Sequence, residues 1–305
     1  MRIMTCVLVA NLISVLGSLQ VNVQGTNANL GHEDPPQAMS APRIDQLTLH
    51  SKIFGNTRTI RVWLPPGYDD ALQASSRYPV FYFTDGIATF HGRQLDTTAA
   101  RLIQAGKIPA AIFVGIDNGG STRESKHPGS DRANEYLPYP DDSLVPQISA
   151  PQGSKFPDFL EREVRPLVES RYRTQDAVGL AGASYGAAIA LYTILERPGK
   201  YQWLLLESPS LYIDNDHLLR RAAQFHRWPQ RIYIGAGTQE GEGDAKREMV
   251  DDVKHLANSI GSNANTCVLI APGAEHNEDA WRFRLPSALQ FLLGSGSCQI
   301  PDQRQ

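Results

Sequence analysis

The chain has 305 residues, enough for one large α/β domain or two small ones, and its hydrophobic share of 41% is ordinary for a globular protein. Its net charge is −3, charges of both signs are interspersed, and no basic run occurs. The composition therefore argues against nucleic acids and anionic membrane surfaces as partners.

The first 25 residues differ in kind from the rest of the chain. Arg2 is followed by an almost uncharged stretch over residues 3–19, and small residues lie near Gly25. This pattern predicts a signal peptide over residues 1–25, and hence a secreted or periplasmic protein with no stable membrane association after cleavage. An uncleaved membrane anchor is the alternative, because the stretch is marginally long enough to span a bilayer. A polar, proline-containing stretch then predicts a flexible linker over residues 26–43.

A catalytic domain is expected over residues 44–294, with a C-terminal tail over residues 295–305. Alternating segments on both sides of Gly55 predict an antiparallel hairpin at residues 44–50 and 58–64. Nearly continuous apolar runs predict further buried strands at residues 78–84, 110–116, 178–183, 203–206, 231–235 and 266–271. Helical spacings predict helices at about residues 97–104, 158–170, 184–196, 246–260 and 279–293. The alternation of strands and helices predicts an α/β fold with a doubly wound, mostly parallel sheet.

Residues 117–157 are rich in Gly, Ser, Pro and Asp, and no periodicity predicts an element there. A structureless loop of about 40 residues is uncommon in a compact domain and is usually functional. We expect it to form a lid or pocket wall over the active site. Its basic residues Arg123, Lys126 and Arg132 are candidates for contacts with an anionic substrate, and an ordinary solvated loop is the alternative.

One apolar run ends in a serine between two glycines. Gly182-x-Ser184-x-Gly186 matches the nucleophile elbow, in which the serine occupies a strained strand-to-helix turn. Larger flanking side chains would collide where the strand and the helix pass closely. We expect Ser184 to be a nucleophile, although a glycine-rich turn with an incidental serine would match the same pattern.

A serine nucleophile needs a general base and an acid, which are expected in loops at the carboxyl ends of later strands. His276 follows the last predicted strand and precedes the final helix, so it is the candidate base. Glu240 follows the preceding strand and is the candidate acid, with Glu242 and Asp244 as rivals in the same loop. The order Ser, acid, His is that of the α/β-hydrolase triad.

An oxyanion hole is expected from backbone amides. One should belong to Tyr185, the residue after the nucleophile, and the other to Gly86 or Ile87 at the end of the first parallel strand. His91, Tyr136 and Tyr212 are further candidates for substrate contacts. No metal or organic cofactor is expected, because the sequence contains no His/Cys cluster with the spacing of metal ligands.

Two cysteines remain after removal of a signal peptide. Cys267 lies in the last predicted strand and Cys298 in the tail. In an exported protein they are candidates for one disulfide, and a buried Cys267 with a separate thiol at Cys298 is the alternative.

The chain resembles the esterase D-like branch of the α/β-hydrolases over about residues 44–293. This branch includes siderophore, feruloyl and acetyl-xylan esterases, S-formylglutathione hydrolases and mycolyltransferases. Besides the elbow, the resemblance rests on residues 61–68 (RVWLPPGY), 78–86 (YPVFYFTDG), 114–118 (VGIDN), 132–136 (RANEY), 207–210 (ESPS) and 273–276 (GAEH).

The resemblance implies a hydrolase fold and places Ser184, Glu240 and His276 on the family's triad positions. Two departures stand out: Ala187 follows Gly186 where many members have a second glycine, and the acid is Glu where many have Asp. Some siderophore esterases of this branch work with Ser and His alone. The implied activity is hydrolysis of a small-molecule carboxylic ester, such as a siderophore ester. A feruloyl or carbohydrate-ester esterase, an acyltransferase and a non-catalytic binding protein of the same fold are the alternatives.

Overall fold

A computed structural model describes residues 39–141, 151–241 and 245–299. Within them, eight strands form a mixed sheet in the order β1-β2-β4-β3-β5-β6-β7-β8. The strands are β1 (Arg43–Ser51), β2 (Asn56–Leu64), β3 (Tyr78–Thr84), β4 (Ile112–Ile116), β5 (Thr174–Ala183), β6 (Trp203–Glu207), β7 (Arg231–Gly237) and β8 (Asn265–Ala271).

The sheet combines an antiparallel start with a parallel body. β1 pairs antiparallel with β2, and β2 pairs antiparallel with β4. All pairings from β4 through β3, β5, β6 and β7 to β8 are parallel. The predicted fold class, a mostly parallel hydrolase sheet with an antiparallel N-terminal hairpin, is confirmed. β5 lies in the middle of the parallel body, so its carboxyl end is flanked by the ends of β3 and β6.

Helices cover both faces of the sheet. The helices are α1 (Leu95–Gln104), α2 (Pro128–Tyr136), α3 (Phe156–Phe159), α4 (Arg165–Glu169), α5 (Tyr185–Glu196), α6 (Ile213–Ala222), α7 (Ala245–Ile260) and α8 (Glu278–Leu293). Short 3₁₀ or π turns occur at Ala71–Gln73, Ala88–Gly92, Gly119–Ser121, Gly153–Lys155, Leu160–Val164 and Gly261–Asn263. Apolar residues of α1 and α8 pack on one face of the sheet, and those of α2 to α7 pack on the other.

The long segment before β5 is more ordered than its composition predicts. The prediction that residues 117–157 contain no clear element is wrong, since α2 lies within them and α3 begins at their end. α2 starts with Pro128, which suits the first turn of a helix, and it buries few residues, among them Ala133 and Tyr136. So few apolar positions give no visible periodicity. Residues 142–150 lie outside the described ranges.

Cys267 and Cys298 form a disulfide, with their Cα atoms 5.3 Å apart. Cys267 is buried in β8, whereas Cys298 is exposed in the segment after α8. The bond therefore fastens the C-terminal segment to the sheet. No helix in the described ranges is long and apolar enough to cross a membrane.

Opening this disulfide is expected to reduce stability without changing the fold. The cross-link closes a loop of 31 residues, and such a loop is worth about 3.7 kcal/mol through the entropy of the unfolded chain. Cys298→Ser should lower the free energy of unfolding by about this amount in urea titrations. Reductant should destabilise the wild type to a similar extent and leave Cys298→Ser unaffected. Equal stability of wild type and variant would contradict the prediction.

Candidate active site

Ser184 occupies a strained turn between β5 and α5. Its backbone has φ 57° and ψ −127°, a conformation that non-glycine residues rarely adopt. A Cβ on Gly182 would overlap the carbonyl oxygen of Gly186, and a Cβ on Gly186 would overlap Thr84 Oγ1 and lie 2.9 Å from Asp85 Oδ2. Both glycines of the elbow are therefore required by close approach, as the sequence pattern predicts.

Gly186→Ala is expected to destabilise the protein. Alanine normally favours a helix over glycine, but here the new methyl group meets Thr84 and Asp85 in a packed site. Overpacking of this kind costs about 1–3 kcal/mol, which should lower the melting temperature. Gly129→Ala is the matched control, because a Cβ there meets nothing within 4 Å and Gly129 is also in the first turn of a helix. An unchanged melting temperature for Gly186→Ala would show that the elbow has room for a side chain.

His276 and Glu240 meet at the carboxyl edge of the sheet, where β8 and β7 end. His276 Nδ1 lies 3.1 Å from Glu240 Oε2. Glu240 is fully buried, and its Oε1 accepts hydrogen bonds from Ser208 Oγ at 2.7 Å and from the Gly237 amide at 2.6 Å. The His276 side chain is 33% exposed.

Ser184 and His276 line the same pocket. It has a volume of about 560 Å³, and it is lined by Ser184, Tyr185, Ser210, Tyr212, Glu240, Gly241, Met249, Asp252 and His276. Ser184 Oγ hydrogen-bonds with Ser210 Oγ at 3.4 Å, and no hydrogen bond joins Ser184 to His276 among the described residues. Bonds between a nucleophile and its base are often long before substrate binds, so this arrangement is compatible with catalysis.

The turn after β3 lies against the elbow. Gly186 is packed against Thr84 and Asp85, so the Gly86–Ile87 backbone and the start of α5 at Tyr185 are close in space. Gly86 is buried and Ile87 is exposed. The structure thus brings together the two segments that sequence reasoning selected for the oxyanion hole.

Asp85 is the anchor of this turn. It has φ 56°, and its carboxylate accepts two hydrogen bonds of 2.7 Å from Arg132 and one of 2.6 Å from Asn118 Nδ2. Its amide donates to the hydroxyl of Tyr136 at 3.0 Å. Burial alone would raise the pKa of the Asp85 carboxyl, but the hydrogen bonds and charge of Arg132 outweigh it and hold that pKa below its ordinary value.

These contacts place Tyr136 away from the pocket and pair Arg132 with Asp85. Tyr136 is fully buried in the core, so its side chain has no surface in the pocket. The Arg132 guanidinium pairs with Asp85, lies 5.9 Å from the ring centroid of Tyr185 and belongs to a side chain that is 28% exposed, so its contact with a substrate stays a prediction. Helix α2, missed in the sequence, is what turns both side chains toward Asp85.

Of the other residues predicted to contact a substrate, one lines the pocket and three do not. Tyr212 lines the pocket and is 40% exposed, whereas His91, Arg123 and Lys126 are exposed and are not among the residues that line it. The rival acids Glu242 and Asp244 lie outside the described residues.

Sequence reasoning missed several residues around the triad. It noted residues 207–210 without a role, yet Ser208 bonds Glu240 and Ser210 bonds Ser184. Their position directly after β6, the neighbour of β5, was the available signal. It also missed Arg284, a charged residue within the apolar face of α8, where Trp281, Leu285 and Leu289 are buried.

Comparison with known proteins agrees with this architecture. The family model described as "Putative esterase" matches residues 51–292. A siderophore triacetylfusarinine C esterase of Aspergillus fumigatus is 28% identical over 63% of this chain and 64% of its own length. The ferri-bacillibactin esterase BesA of Bacillus subtilis is 26% identical over 59% of this chain and 65% of its own length. The chain thus spans just under two thirds of these two relatives.

Among solved structures, an IroE-like serine hydrolase from Shewanella oneidensis superposes with a TM-score of 0.68. It is 22% identical, over 81% of this chain and 79% of its own, and this likeness shows a shared fold. The family model covers well over half of the sequence. The chain therefore belongs to the putative esterase family and is a carboxylic ester hydrolase.

Proposed function

We propose that this hydrolase works through a Ser184–His276–Glu240 triad and an acyl-enzyme. The observation that carries the proposal is the 3.1 Å contact of His276 Nδ1 with buried Glu240, beside a pocket that Ser184 shares. A carboxylate on Nδ1 fixes the histidine tautomer in which Nε2 can accept a proton, and it stabilises the imidazolium that follows.

The reaction divides into acylation and deacylation. Ser184 Oγ attacks the ester carbonyl while its proton passes to His276 Nε2, and the amides of Tyr185 and of Gly86 or Ile87 stabilise the oxyanion. The tetrahedral intermediate collapses, and the proton from His276 goes to the departing alkoxide to release the alcohol. Water then attacks the acyl-serine with His276 as general base, which releases the acid and restores Ser184.

We further propose a siderophore ester as the substrate. Two relatives are esterases of triacetylfusarinine C and of ferri-bacillibactin, both siderophores. A feruloyl or carbohydrate ester is the alternative, favoured by Tyr185 and Tyr212, whose rings lie at the pocket and could stack on an aromatic acyl group or a sugar. Transfer of the acyl group to an alcohol instead of water is a third possibility for the same acyl-enzyme.

Export of the enzyme is part of the proposal. The Cys267–Cys298 disulfide favours an oxidising compartment, and the apolar N-terminal sequence has the form of a secretory signal. The domain limits proposed from the sequence place the signal before residue 26 and the linker before residue 44. Mass spectrometry of protein isolated from the producing cell should find an N-terminus near residue 26. An intact N-terminus would contradict cleavage.

A labelling experiment followed by a substrate panel tests the function. A fluorophosphonate should phosphonylate Ser184, as located by peptide mass spectrometry, because an activated serine hydroxyl displaces fluoride from the reagent far faster than an ordinary serine does. The panel comprises a ferric trihydroxamate triester, a ferric tricatecholate trilactone and methyl ferulate, with products followed by mass. Cleavage of a siderophore ester supports the substrate proposal, and cleavage of ferulate alone overturns it. Binding without cleavage or labelling would identify a non-catalytic binding protein.

A further inference from the structure

A buried guanidinium lies behind the acid of the triad. Arg284 of α8 has no exposed side-chain surface, and its Nε and Nη2 donate to Glu207 Oε2 at 3.0 and 2.8 Å. The same Nη2 lies 3.5 Å from Glu240 Oε1. One cation thus stands between two buried carboxylates, of which only Glu240 contacts His276.

Ser208 connects this ion pair to the triad. Its Oγ donates to Glu240 Oε1 at 2.7 Å and accepts from Trp281 Nε1 at 2.8 Å, and Arg284 Nη2 lies 3.3 Å away. The Trp281 ring packs edge-to-face on His276 with centroids 5.1 Å apart. One hydrogen-bonded network therefore reaches both the acid and the base.

Stability of the folded core does not by itself explain this network. Glu207 Oε1 and Arg284 Nη1 are buried and have no hydrogen-bond partner in the described structure. Burial raises the pKa of Glu207 and the charge of Glu240 adds to this effect, while Arg284 opposes both. Apolar residues of similar volume often stabilise a core as well as such an ion pair does. Gly235 on β7 leaves the space for Glu207, since a Cβ there would overlap the Glu207 carboxylate.

We propose that Arg284 and Ser208 are positioning residues for the esterase reaction. Arg284 places a positive charge between the carboxylates of Glu207 and Glu240 inside the core. Ser208 fixes Oε1 of Glu240, so that Oε2 faces His276. This inference rests on the proposed triad and extends it to two side chains that do not touch the substrate.

Removing Arg284 should move the acid side of the pH–rate profile. Among the described residues, the titratable or charged groups around Glu240 include His276 from the β8–α8 loop, Glu207 from β6, Arg284 from α8 and, beyond Glu207, the Tyr233 hydroxyl from β7. Asp252 from α7 lines the same pocket as Glu240. Arg93 acts on Glu207 from the segment after β3. Without Arg284, two carboxylates would lie in this part of the core with no cation between them, and their like charges would favour a proton on one of them. Activity would then require a higher pH to remove that proton.

The test compares Arg284→Met, the double variant Arg284→Met/Glu207→Gln, Arg284→Lys and Ser208→Ala with the wild type on p-nitrophenyl acetate. We expect Arg284→Met to lose about 100-fold in kcat at pH 7 with KM little changed, and its acid limb to move up by about one pH unit or more. Adding Glu207→Gln to Arg284→Met should return the acid limb of the pH–rate profile toward its wild-type position, because it removes the competing carboxylate. Arg284→Lys should retain part of the wild-type activity. Ser208→Ala should lose about 10-fold in kcat at unchanged KM.

Arg282→Met is the matched control, since Arg282 lies on the same helix with a half-exposed side chain paired to Asp279. It should keep the wild-type profile. Loss of kcat in Arg284→Met without a shift of the acid limb, and without recovery in the double variant, would assign a purely structural role and overturn the proposal. If circular dichroism shows that Arg284→Met is unfolded, Ser208→Ala decides: an unchanged kcat overturns the inference. Failure of the triad proposal is distinguishable, because the wild type itself would then show no serine-dependent activity.

Discussion

Ser184→Ala is expected to reduce kcat/KM for p-nitrophenyl acetate by about 10⁴-fold or more, leaving a residual rate from substrate binding and the oxyanion hole. The reason is that no acyl-enzyme can form without Oγ, and no other hydroxyl has the same position. Ser210 is the nearest competitor, with its Oγ 3.4 Å from Ser184 Oγ. It follows β6 rather than β5 and lacks the elbow that presents a side chain from a strained turn.

The measurement is initial-rate release of p-nitrophenol, with protein folding checked by circular dichroism. Ser170→Ala is the control, because Ser170 is exposed at the end of α4 and its hydroxyl bonds only a local carbonyl, that of Leu167. It should keep the wild-type rate. The initial rate of Ser210→Ala should exceed that of Ser184→Ala by at least two orders of magnitude. Equal rates for wild type and Ser184→Ala would refute the serine mechanism.

The candidate triad was predictable because each of its members depends on local pattern. The elbow requires two glycines around Ser184 for steric reasons that act within five residues. Glu240 and His276 each follow an apolar strand, and in a parallel sheet the carboxyl ends of strands meet at one edge. Strand order along the chain was therefore enough to bring three distant residues toward one pocket.

The contacts that the sequence did not predict join distant parts of the chain. Arg132 was expected to face a substrate, and its ion pair with the buried carboxylate of Asp85, 47 residues earlier, was not predicted. Tyr136 was assigned to the pocket because it is aromatic, yet its hydroxyl accepts from the Asp85 amide within the core. The local sequence of α2 contains no pattern that identifies Asp85 as the partner of these side chains. The same holds for Arg284 and Glu207, which are 77 residues apart.

The acid of the triad gives the second large effect: Glu240→Gln is expected to lower kcat by about 10³- to 10⁴-fold with little change in KM. The structure fixes which way the new amide must turn. The site of Oε1 receives hydrogen bonds from Ser208 Oγ and the Gly237 amide, and Arg284 lies nearby. Only the carbonyl oxygen of glutamine can accept these bonds, so it must take the Oε1 position.

The amide nitrogen of the glutamine is then left at the Oε2 position, facing His276. Because an amide NH₂ only donates, it would make Nδ1 the acceptor and place the ring proton on Nε2, the nitrogen that must take the proton of Ser184. The variant should therefore fold normally and fail as a base. Nitrogen-15 NMR of the imidazole would report the change of tautomer directly. Glu275→Gln, an exposed neighbour of His276, is the control and should keep its activity. A near-normal rate in Glu240→Gln, with a large loss in Glu242→Gln or Asp244→Asn, would transfer the role of the acid to that residue.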